Sequence, residues 1–73
     1  MMTERDMLIM AYISNGYKRR SISSLSNQTG LSDIEISLTL RLNEDIWSAV
    51  NTRNRGLLYA INDRLFDELN TYI

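Results

Sequence analysis

The sequence of 73 residues contains no cysteine, no histidine and no proline, and only three glycines. Without cysteine, a disulfide framework and a thiolate metal site are both excluded, and without histidine the usual imidazole of catalytic and zinc sites is missing. Lys18 is the single lysine, so carboxylates and hydroxyls are the only abundant reactive groups. We therefore predict that the chain is not an enzyme and that it needs no metal and no other cofactor.

Long hydrophobic runs are missing as well. The longest, Met7 to Ile13, is much shorter than the roughly 20 apolar residues that a membrane-spanning helix needs. Glu4 and Asp6 precede this run and no small-residue cleavage site follows it, which argues against a signal peptide. We expect a cytoplasmic protein without a membrane partner, ordered nearly from end to end as a single domain over residues 1–73.

The charges are nearly balanced, and their distribution says more than the net charge of -1. Lys18, Arg19 and Arg20 are contiguous, and Arg53 and Arg55 lie two residues apart. Each group predicts a local basic surface of the kind that contacts a polyanion. A solvated polar loop explains either group equally well, so both interpretations stay open.

Residues typical of helix ends divide the chain into segments. Four positions carry an N-capping side chain, and two glycines stand where a left-handed stop would end a helix. The caps are Thr3, Ser21, Ser32 and Asn62, and the stops are Gly16 and Gly30. They predict a helix after each cap, the first over about residues 4–14, with a polar connector over residues 17–20.

Between the third and fourth predicted helices the pattern is typical of a hairpin. Trp47 and Val50 lie in one strand-like segment, and Leu57 to Ile61 forms another. The turn between them, TRNRG, is polar and ends in a glycine. We predict a hairpin over residues 46–61 with a basic tip at Arg53, Asn54 and Arg55.

Residues 33–43, DIEISLTLRLN, fit two different structures. Their strictly alternating apolar residues are typical of a half-buried strand, and the β-branched residues favour one. The Ser32 cap, the acids in the first turn and the leucines favour a helix instead. We predict a helix with two apolar stripes on opposite sides. Ile34, Leu38 and Leu42 form one stripe, and Ile36 and Leu40 form the other.

The turn between the second and third predicted helices has an ordered set of signals. A small residue suits the crossing of the two helices, and a glycine suits the point where φ turns positive. The set is Ser21, Leu25, Ser26, Gly30, Leu31 and Ser32. It resembles the helix-turn-helix of winged-helix DNA-binding proteins, and the following TRNRG and LLYAI segments resemble the wing. In this family an alanine usually stands where the chain has Ser26.

The resemblance covers about residues 4–62 and is closest to small winged-helix regulators of bacteria, phages and plasmids, such as pilus phase-variation regulators. It implies an α+β fold, mostly α, with a three-helix core, a hairpin wing and a C-terminal helix. It also implies sequence-specific binding of double-stranded DNA in transcriptional control, with the third helix in the major groove and the wing on adjacent backbone or minor groove. The implied DNA-binding residues are Lys18, Arg19, Arg20, Ser32, Ser37, Arg41, Arg53, Asn54 and Arg55.

A second hypothesis is a protein-interaction module on the same scaffold, for example an inhibitor or adaptor of a host regulator. Ile34 and Leu38 would point towards DNA in the family's register, where they contact thymine methyl groups or, instead, a partner protein. The terminal helix offers Leu65, Leu69 and Tyr72 for a homodimer contact, although these residues would serve equally well to close the monomer's core. Asp63 and Asp67, four residues apart, indicate helix-dipole stabilisation much more than a metal or acid–base pair.

Overall fold

Four helices and three strands make up residues 1–71, the part of the chain that a computed structural model describes. The helices are α1 (Glu4–Asn15), α2 (Ile22–Thr29), α3 (Asp33–Leu42) and α4 (Asp63–Thr71), and the strands are β1 (Arg19–Arg20), β2 (Trp47–Thr52) and β3 (Gly56–Ile61). The strands form one antiparallel sheet in the order β1-β3-β2. The predicted α+β class with a winged-helix-like layout is confirmed. None of the helices in this range is long and apolar enough to cross a membrane.

The helices begin and end at the residues that the sequence pattern indicated. Each of the four capping side chains accepts a hydrogen bond from the backbone N–H three residues later, at 3.0 to 3.1 Å. Gly16 and Gly30 have φ angles of 84° and 80°, in the left-handed region that a residue with a Cβ rarely adopts. The predicted caps and stops are therefore confirmed.

Strand β1 was not predicted. Arg19 and Arg20 pair with Ala60 and Tyr59 of β3, so the expectation of a plain polar connector over residues 17–20 is wrong. The pairing is extended by a bond from the Ile61 amide to the Lys18 carbonyl at 2.9 Å. Two arginines have no strong strand propensity of their own. They are extended because they pair with the open edge of β3, which lies about 40 residues further along the chain.

The core lies between the helices and one face of the sheet. Its fully buried side chains come from α1, α2 and α3, and large apolar and aromatic residues from the sheet and α4 pack against them. The fully buried set is Leu8, Tyr12, Leu25, Ile36 and Leu40, joined by Trp47, Tyr59, Ile61 and Phe66. A buried polar bond crosses this core, from the hydroxyl of Tyr12 to the carbonyl of Tyr59 at 2.6 Å.

Helix α3 resolves the ambiguity of the alternating segment. Ile36 and Leu40 are 0% and 1% exposed, whereas Ile34, Leu38 and Leu42 are 73%, 54% and 81% exposed. The segment is a helix with one buried and one exposed apolar stripe, as predicted. The buried stripe alone is enough to pack α3 on the core. Folding therefore does not explain why the exposed stripe is apolar.

The burial of the Tyr12 phenol predicts how the stability of the fold changes at alkaline pH. Burial raises the pKa of Tyr12 well above its usual value, an effect that nearby Arg20 partly offsets. The folded state therefore favours the protonated phenol, and its contribution is fully present below about pH 10 and is lost as the pH rises further. Tyr12→Phe should cost about 1 to 2 kcal/mol at neutral pH, because the Tyr59 carbonyl loses its donor.

Urea unfolding at neutral and alkaline pH measures both effects. The stability difference between the wild type and Tyr12→Phe should shrink as the pH rises above about 10. Tyr17→Phe is the control, because Tyr17 is 69% exposed. Parallel pH curves for the wild type and Tyr12→Phe would contradict the assignment.

Candidate nucleic-acid interface

The turn between α2 and α3 is held by short-range hydrogen bonds. The hydroxyl of Ser26 donates to the Leu31 carbonyl at 2.8 Å, and the amide of Gly30 donates to the Ser26 carbonyl at 2.9 Å. Thr29 adds a bond from the Leu31 amide to its hydroxyl at 3.2 Å. Ser26, where the family usually has an alanine, therefore stabilises the turn through its hydroxyl.

The side chains of the three contiguous basic residues lie in three different environments. Arg20 pairs with the buried Tyr59, so strand alternation turns it towards the core, where it is 5% exposed. Its guanidinium donates to the Ala11 carbonyl at 3.2 Å and to the Ser24 hydroxyl at 3.0 Å. The prediction that Arg20 contacts DNA is wrong, because its donors serve α1 and α2.

Lys18 is engaged within the protein as well. Its ammonium lies 3.3 Å from Asp63 and 3.5 Å from Asp67, and 5.5 Å from the ring centre of Phe66. The hydrogen bond to Asp63 is the main reason why the pKa of Lys18 is raised. Asp63 and Asp67 of α4 thus form ion pairs with the ammonium group of Lys18. Within residues 1–71, no three acidic, histidine or cysteine side chains come together as a set that could hold a metal.

The hairpin tip is exposed and well defined. Arg53, Asn54 and Arg55 all face solvent. The hydroxyl of Thr52 donates to the Gly56 carbonyl at 2.7 Å and accepts from the Arg55 amide at 3.1 Å, which fixes the backbone of the turn. The tip therefore presents two guanidinium groups on a structured loop.

Strand β1, which was not predicted from the sequence, places Arg19 near Arg55 of this tip. Arg19 is exposed and pairs with Ala60, so it lies on the face of the sheet opposite to that of Arg20. Arg19 and Arg55 line the same shallow concavity of about 610 Å³, together with Tyr17 and Lys18. We call Arg19, Arg53 and Arg55 the wing surface. No ion pair within the described residues involves any of the three.

The predicted polar contacts of α3 are only partly accessible. The Ser32 hydroxyl accepts the capping bond from the Glu35 amide at 3.1 Å, and Ser37 is half-buried. Arg41 is exposed and lines a crevice of about 470 Å³ between α3 and β2, beside Glu44 and Trp47. Arg41 is therefore the one basic group that α3 offers to a ligand.

Carboxylates lie on one flank and at both ends of the exposed stripe of α3, and Arg41 lies on the other flank. Asp33 and Glu35 lie in the first turn, Glu44 follows the last turn, and Glu4 of α1 accepts a bond from Thr39 at 3.3 Å. No base in the described range pairs with any of these four acids. We call them the acidic rim. The face that the family resemblance assigns to the major groove is thus apolar and negatively charged.

The apolar residues of α4 are divided between the core and a groove. Phe66 is 5% exposed, and Leu65 and Leu69 are half-buried. These two leucines and Met10 of α1 line a largely apolar groove of about 500 Å³ between the helices. Tyr72, which was predicted to take part in a homodimer contact, lies outside the described residues.

Comparisons of the chain with protein families, with curated proteins and with solved structures gave no significant match.

Proposed function

We propose that the chain is a cytoplasmic DNA-binding regulator of transcription and that its wing surface makes the principal contacts with the DNA backbone. The observation that carries the proposal is the position of Arg19, Arg53 and Arg55, exposed and without an ion-pair partner in residues 1–71, beside a helix-turn-helix. Guanidinium groups suit phosphate oxygens because their planar fork of donors makes two hydrogen bonds at once. Paired arginines on a projecting turn also suit a narrow minor groove.

The proposal departs from the expected mechanism in the role of α3. Insertion of α3 into a major groove would bring the acidic rim close to phosphates, and like charges at short range repel. A carboxylate can accept from a cytosine amino group, but this contact does not offset several unpaired acids. We therefore assign the electrostatic part of DNA binding to the wing surface.

The test is DNA affinity over a salt series, with a random-sequence duplex and fluorescence anisotropy as the readout. Each lost phosphate contact lowers the slope of log affinity against log salt by about one unit. Arg53→Ala combined with Arg55→Ala should therefore weaken binding to all sequences alike and flatten the slope by about two units.

Arg64→Ala is the matched control, because Arg64 is also an exposed arginine but pairs with Glu68 of its own helix at 3.2 Å. It should leave the slope unchanged. An unchanged slope in the double variant would remove the wing from the mechanism. No binding of the wild type at low salt would refute the proposed function as a whole.

The second candidate function, a protein-interaction module, is favoured by the 54% to 81% exposure of the three apolar residues on α3. A homodimer through the groove between α1 and α4 remains a further prediction. It fails if the wild type sediments as a monomer at high micromolar concentration.

A further inference from the structure

We propose that the exposed face of α3 binds a basic amphipathic helix of a partner protein. This surface consists of Ile34, Leu38 and Leu42, the exposed stripe, and of the acidic rim beside it. The inference does not depend on DNA binding, because none of these residues belongs to the wing surface.

The exposed stripe is continuous and rigidly supported. Its three residues are spaced four apart, so they lie nearly above one another over about 12 Å of helix. All three are more exposed than Leu57, which is 46% exposed on the wing. The buried Ile36 and Leu40 fix α3 from behind, so the stripe is presented without a conformational change. A preformed apolar ridge of this length fits the groove-and-ridge surface of a second helix.

The acidic rim selects the charge of that helix. Glu35 and Thr39 are one turn apart on the same flank of the stripe, and a carboxylate oxygen of Glu4 lies beside them, 3.3 Å from the Thr39 hydroxyl. Glu44 adds a carboxylate beyond the end of the helix. Lysines or arginines beside the apolar residues of a partner would pair with these acids, which gives an apolar centre and a charged edge.

Other occupants fit this surface less well. Two copies of α3 placed face to face would bring the acidic rims together around only one base each, Arg41. A phosphate backbone and an anionic bilayer surface are repelled by the same acids. Only a partner that is both apolar and basic satisfies the stripe and the rim together.

The experiment uses the whole chain and two synthetic amphipathic peptides of about five helical turns, each with a leucine stripe. One peptide carries lysines on its polar face and the other carries glutamates. We expect the lysine peptide to bind and the glutamate peptide to bind at least about tenfold more weakly, as measured by anisotropy of the labelled peptides.

Two variants locate the binding. Leu38→Gln combined with Leu42→Gln should weaken binding of the lysine peptide by about tenfold or more, because two exposed leucines lose their buried contacts. Leu57→Gln is the matched control and should leave binding unchanged. Glu35→Lys combined with Glu44→Lys should reverse the preference between the two peptides. The thermal midpoints of all variants show whether they are folded, and their DNA affinity is measured in parallel.

Several results would overturn the proposal. These are equal binding of both peptides, no loss in the double glutamine variant, and no binding of the lysine peptide at millimolar concentration. If the glutamine variant loses DNA affinity and no peptide binds, α3 reads DNA instead. If the free chain self-associates through these leucines, the occupant is a second copy. A flat salt series for DNA, with the peptide results as expected, would refute only the proposed function.

Discussion

Arg20→Ala is expected to lower the free energy of unfolding by about 2 to 4 kcal/mol, whereas Arg19→Ala should change it by less than about 0.5 kcal/mol. The two arginines are neighbours in the sequence but lie on opposite faces of β1. The side chain of Arg20 bonds to the Ala11 carbonyl and to the Ser24 hydroxyl, and its stem fills core space beside the ring of Tyr12. Its removal takes a donor from the Ser24 hydroxyl and one of two side-chain donors from the Ala11 carbonyl, which keeps the side-chain amide of Gln28 at 3.2 Å, and it leaves a cavity.

Chemical denaturation of the two alanine variants measures this difference directly. Arg20→Lys should remain well below wild-type stability, since one ammonium cannot replace a fork of donors that reaches two helices. In DNA binding the order should reverse, with Arg19→Ala weakening affinity while it leaves stability unchanged. Equal stability of the two alanine variants would mean that Arg20 is not a structural residue.

A second large effect is expected from a matched pair on α3. Leu40→Ala should cost about 2 to 5 kcal/mol of unfolding free energy, and Leu38→Ala should cost less than about 1 kcal/mol. The chemical change is identical and the positions are two residues apart, but Leu40 is 1% exposed and Leu38 is 54% exposed. Only the first substitution leaves a cavity in the core.

Urea midpoints and the slopes of the transitions decide this comparison. If α3 were a strand with both leucines on one face, the two variants would lose similar stability, since residues two apart share a face of a sheet. A small loss for Leu40→Ala would contradict the position of α3. Peptide binding by Leu38→Ala links the same pair to the role proposed for the exposed stripe.

The features that could be predicted from the sequence are local ones. Thr3, Ser21, Ser32 and Asn62 cap helices through bonds that span three residues, so a short segment contains all the information. The helical form of α3 and its two stripes follow in the same way from a cap and a repeat. For this reason the order of the helices and the hairpin could be predicted from the sequence alone.

The candidate site was less predictable because its geometry depends on contacts between distant segments. Lys18 is neutralised by Asp63 and Asp67, which lie more than 40 residues away, and no property of the basic run indicates this. Arg19 is exposed and Arg20 is buried because both pair with β3, which turns the two side chains to opposite faces of the sheet. Period-two alternation could have suggested that two adjacent residues face opposite ways, but a strand of two residues has too little pattern to be detected.

Arg20 also determines how the domain opens. One side chain of the sheet donates to a carbonyl of α1 and to a hydroxyl of α2, so separating any of these three elements from the other two breaks a hydrogen bond of Arg20. We therefore expect local openings at the exposed hairpin tip more than among α1, α2 and β1. We expect the amide protons of α1, α2 and β3 to exchange with solvent at similar rates, because one opening of the scaffold breaks these bonds together, whereas those of the hairpin tip should exchange faster.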